Sequence, residues 1–246
     1  MIATRWIMLA VAAALVLALL GATVTDLQPS AQRVAVTAVV GLIAPLFWPG
    51  RAATPGRTAL RVAVWSFAAA GMAAVPVLVA GGPRQPFAQI VAACAMLTLI
   101  LLVTHAVAAT IEGFIQGRSE DADGAREMAG RTAAIALALV GSLPLWLGPA
   151  AELLSGRHAW IIDAAVGISP LTHLAVASGN DLLRNQWFYQ HSNLAALQFS
   201  YPSLAVLILC YAVFSLALVL VPLAARSPRR PIAGTSPTHP TTEHAP

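Results

Sequence analysis

The chain has 246 residues, 58% of them hydrophobic and only 10% charged, with a net charge of +4 and a mean hydropathy of +0.76. Soluble domains carry about 25% charged residues, so this composition argues against a soluble globular fold and for an all-α, polytopic membrane helix bundle. Every basic residue is Arg and most flank apolar runs, which leaves no basic, aromatic-lined face for nucleic acid.

In chain order, the apolar runs cover about residues 6–25, 34–49, 61–81, 87–111, 132–154 and 202–225. The first follows Arg5 and looks like a signal peptide. Its apolar core exceeds the usual length of about 7–15 residues, and Leu20 stands where a small residue would be needed, so an uncleaved first span is expected. Cys94 and Cys210 both lie inside apolar runs and read as packing residues. A seventh run, "WIIDAAVGISPLTHLAVAS" at 160–178, carries Asp163, Pro170 and His173, and Pro170 disfavours a continuous helix through its centre.

Charge distribution decides whether that run crosses. With Arg5 in the cytoplasm, the 50–60 loop brings Arg51 and Arg57, with Arg61 at its edge, to the same side. The 112–131 loop adds Arg118, Arg126 and Arg131, whereas on the opposite side the 26–33 loop carries only Arg33 and the 82–86 loop only Arg84. The tail opens "RSPRRP" and also belongs inside. Six spans place both termini in the cytoplasm, and a seventh would expel that tail. Residues 160–200 are therefore expected to form an extracytoplasmic re-entrant or interfacial hairpin. It includes the polar stretch "GNDLLRNQWFYQHSN" (179–193), whose Trp187, Phe188 and Tyr189 suit an aromatic belt. Residues 229–246, rich in Pro, Thr and Ser, are expected to be a disordered cytoplasmic tail.

Ionisable groups at membrane depth are functional candidates because they are costly there. His105 and Glu112 are seven residues apart and share a helix face. The plain reading is a packed histidine and an interfacial carboxylate; the functional reading is a pair lining a pathway. Asp163, Pro170 and His173 either brace the hairpin or line a gate. Asp181 and Arg184 are spaced to pair on a helix. The 112–131 loop holds five of the ten acids and mixes them with Arg, so Glu120, Asp121, Asp123 and Arg126 are candidates for docking a partner. No GxxxxGK[ST], HExxH, GxSxG or CxxC occurs, so catalytic residues, metal ligands and cofactor-binding residues are expected to be absent. The alternative is a non-catalytic or haem-bearing subunit of an electron-transfer or other membrane complex, in which His105 and His173 would hold haem b.

Six spans with inner termini, and a re-entrant hairpin before the last span, resemble the permease subunit of ABC-2-type exporters. "SPLTHLAVA" (169–177) is similar to the Pro-Leu-Thr stretch that such permeases carry at this point, and "YPSLAVLILCYAVFSLAL" (201–218) resembles their final span. The resemblance implies a transport subunit, not an enzyme, in a bacterial inner membrane. It also implies a separate cytoplasmic ATPase docked on the 50–60 and 112–131 loops, and a second permease copy or other membrane subunit beside it.

Overall fold

The structure, a computed structural model, describes residues 29–81, 86–117, 121–147, 159–181 and 201–224. The readings at 6–25, Glu120, Arg184, 187–189 and the tail lie outside these residues. Among the described residues the fold is all-helical. The helices are α1 (Pro29–Ile43), continued by a 3-10 turn (Ala44–Phe47), α2 (Pro55–Gly81), α3 (Phe87–Gln116), α4 (Ala122–Gly141), the short α5 (Leu143–Leu147), α6 (Ala159–Ile168), α7 (Pro170–Ala177) and α8 (Leu204–Ala224).

Proline sets many of the boundaries. Pro55 and Pro170 occupy first helical positions, where the missing N–H costs nothing, and Pro86 caps α3. The α4 helix starts differently. The Asp121 carboxylate accepts from the N–H groups of Asp123 (3.1 Å) and Gly124 (2.9 Å) and caps it. The helix therefore begins ten residues ahead of the apolar run that starts at 132. It stops at Gly141, where the Ser142 hydroxyl bonds back to the Ala138 carbonyl at 2.7 Å and Pro144 follows.

At 1.5 Å per residue α3 is about 45 Å long. It is the central post, touching α1, α2, α4, α7, α8 and the 3-10 turn. On α2 it meets small residues: Ala69 and Ala73 are fully buried, packed with Met96, Leu97 and Leu101 of α3. Small side chains let helices approach closely where lipid removes the hydrophobic drive between them. At Gly130 α4 comes close to the 3-10 turn.

Among the described residues, two helices, Pro55–Leu78 and Phe87–Gln116, are long and apolar enough to cross a membrane, and the bent pair α6–α7 makes a third if counted as one span. Arg33–Phe47 and Leu204–Leu218 are apolar but shorter. Large apolar side chains on α8 point outward, Leu209, Val213 and Leu216 each more than half exposed, as suits a face turned to lipid.

Candidate functional site

The bend between α6 and α7 measures 68° and is built by five consecutive residues, Ser169-Pro-Leu-Thr-His173. Pro170 has no N–H, so the Val166 carbonyl four residues earlier loses its helical donor. The Thr172 hydroxyl replaces it at 2.6 Å. The next carbonyl, Gly167, is taken by His173 Nε2 at 2.9 Å. A carbonyl only accepts, so Nε2 carries the hydrogen, and in the neutral ring Tyr211 on α8 donates to Nδ1 at 2.9 Å. Ser169 in turn donates to the Gly141 carbonyl at 2.7 Å, closing the end of α4. Every backbone group freed by the break that is named here is thereby satisfied, which non-helical backbone at membrane depth requires. Of the hairpin candidates, Pro170 makes the bend and His173 braces it; Asp163 is exposed on α6.

Beside the bend lies a cleft of about 570 Å³, walled by α3, α4, α6, α7 and α8. Its lining is apolar except near His173, Tyr211 and Thr104, and Cys210 and Phe214 face it from α8.

The far end of α7 is tied to the starts of α1 and α3. Buried Arg33 donates through Nε (3.2 Å) and Nη2 (2.7 Å) to the Ser178 carbonyl, and Nη2 also reaches Gln89 Oε1. Asn180 donates to Ser30 Oγ at 3.0 Å. Gly179, at φ +67°, gives Gln89 room that a Cβ would remove. Asp181 accepts from Tyr201 at 2.7 Å.

A second polar group occupies the opposite end of α3. His105 is fully buried, bonded through Nδ1 to Ser66 Oγ on α2 at 2.9 Å and stacked on Trp48 with ring centroids 5.6 Å apart. The Trp48 Nε1–H donates to Glu112 Oε2 at 2.8 Å, so the indole bridges the two turns of α3 that separate His105 from Glu112. Glu112 is itself only 2% exposed. Its two oxygens also accept from the Arg51 N–H (2.9 and 3.1 Å) and Gln116 Nε2 (3.0 Å). The carboxylate is thus a buried hub pinning the 48–52 loop to α3. Gly50, at φ +87°, lets the Arg126 side chain pass beside it. Glu112 is buried because Trp48 and the loop fold over it.

The docking candidates have local duties as well. Asp121 caps α4, and Asp123 pairs with Arg126 at 2.8 Å, Asp123 being exposed and Arg126 mostly covered. Sequence reasoning missed Trp48 and the second role of Arg33. The available signals were a Trp directly before the Pro49-Gly50 turn and a lone Arg in the first turns of a helix.

Both nitrogens of His173 are committed to protein partners, and His105 is bonded through Nδ1. Among the described residues no group of three or more His, Cys, Asp or Glu is placed to hold a metal ion. The fold and site define an all-α bundle with helices long and apolar enough to cross a membrane. Comparison of the chain with models of known families, with curated proteins and with solved structures found no match.

Proposed function

We propose that the chain is the membrane-spanning permease subunit of an ABC-2-type exporter, without enzymatic activity of its own. The bent α6–α7 pair carries this reading. It packs against α1, α3, α4 and α8 just before the last helix, the position at which such permeases place a re-entrant hairpin. The pair enters and leaves by the extracytoplasmic face, and six spans leave both termini inside. The cleft at the bend is the candidate pathway wall, with His173 and Tyr211 at its polar spot. A second permease copy or another membrane subunit would complete the pathway. A separate P-loop ATPase would dock on the 50–60 and 112–131 loops and supply the energy.

The test is affinity purification of the tagged chain from its native membranes after mild cross-linking. A P-loop ATPase is expected in stoichiometric amount. Reversing Glu120 and Asp123 to Arg, with the Asp121 cap left intact, should reduce its recovery several-fold and weaken the salt dependence of what remains. The rival is a subunit of an electron-transfer complex. Recovery of cytochrome or dehydrogenase subunits in place of the ATPase, with a haem Soret band that His105→Ala abolishes, would establish it instead.

A further inference from the structure

At one end of α2 the surface holds a groove of about 390 Å³ with a marked polarity along its length. Arg57 and Arg61, one turn apart, line it together with apolar Leu60, Val64 and Trp65. Arg57 lies in the first turn of a helix long and apolar enough to cross a membrane, and Val64 lies seven residues further in, about 10 Å deeper. The groove is therefore cationic at the membrane surface and apolar toward the hydrocarbon.

The two guanidiniums differ in their commitments. Arg61 Nη1 donates to the carbonyls of Gly50 (3.2 Å) and Arg51 (3.0 Å), which fixes the side chain against the loop. Among the described residues the Arg57 guanidinium makes no hydrogen bond or ion pair, and it is exposed. No acid occurs between residues 48 and 63, and the buried carboxylate of Glu112 is taken up by Trp48, Arg51 and Gln116. The groove thus carries positive charge without a neutralising side chain in this stretch.

We infer that this groove binds an anionic phospholipid, with the phosphate held by Arg57 and Arg61 and an acyl chain laid over Leu60, Val64 and Trp65. The charge of the two arginines matches a phosphodiester, and guanidinium forks take its oxygens in pairs. The apolar lining matches the chain that the same molecule carries. Basic sites at the membrane surface are where acidic headgroups collect.

Native mass spectrometry of the intact chain, released from nanodiscs of equal phosphatidylglycerol and phosphatidylcholine, tests this. Wild type is expected to retain phosphatidylglycerol preferentially. Arg57→Gln, whose guanidinium holds no part of the fold, should lower that retention about fivefold and leave phosphatidylcholine unchanged. Arg57→Lys should keep most of it, and millimolar inorganic phosphate should not displace the lipid. Equal retention of both lipids would assign the groove to any acyl chain and overturn the inference. So would unchanged phosphatidylglycerol in Arg57→Gln, displacement by phosphate alone, or a groove sealed by a co-purifying protein with no lipid bound.

Discussion

Glu112→Ala is expected to lose about 2–6 kcal/mol of stability, because two donors are left buried without an acceptor at about 1–3 kcal/mol each. The donors are Trp48 Nε1 and the Arg51 N–H, both within 2.9 Å of the same carboxylate oxygen. The loss propagates, since Trp48 also forms the stacking surface of His105 and the wall behind Gly130. Glu112→Gln keeps an acceptor oxygen but turns an amide nitrogen toward one of the donors, so about half the loss is expected. Reversible unfolding in mixed micelles measures the series, and the expected order is wild type, then Gln, then Ala. An Ala variant as stable as wild type would mean that water, not the carboxylate, satisfies these donors.

The second large effect is steric. A Cβ at Gly130 would lie 2.6 Å from the Pro45 carbonyl oxygen and 3.5 Å from Trp48 Cβ. Backbone cannot yield as a flexible side chain does, so Gly130→Ala must push α4 away from the 3-10 turn. Overpacking of this kind costs about 1–3 kcal/mol, and Gly130→Val should cost more. Gly71, inside α2 on an exposed face, has nothing within 4 Å of its hypothetical Cβ. There Ala should stabilise by about 0.5–1 kcal/mol through helix propensity alone. The two Gly→Ala changes are thus expected to have opposite signs, read from the midpoints of the same unfolding titration. A neutral Gly130→Ala would show that α4 and the turn are not in direct contact.

These residues show how much the sequence discloses. The break at Pro170 is legible because one missing N–H acts locally. That Thr172 and His173 serve the two orphaned carbonyls follows only once the chain has turned by 68°. The shared face of His105 and Glu112 is legible from their seven-residue spacing. Their connection is not, because Trp48 lies 64 residues before Glu112 and no local period links them. Asp121 reads from the sequence as a docking candidate, and its bonds to Asp123 and Gly124 show that it also caps α4. The start of α4 escaped the apolar pattern because a capped helix extends through polar residues as readily as through leucines. All-helical character was plain from composition. The bounds of α4 were not, since apolar runs mark burial or lipid contact and helix ends are set by caps and prolines.

The permease reading rests on the α6–α7 pair entering and leaving the membrane by one face. Single cysteines at Asp163, Asp181 and Asp121 in a cysteine-free background test it, because all three positions are exposed. A membrane-impermeant maleimide added to intact cells is expected to label the 163 and 181 positions and to spare 121, which should label only after the cells are opened. Labelling of 163 and 181 from opposite faces would make the pair a crossing span and contradict the account.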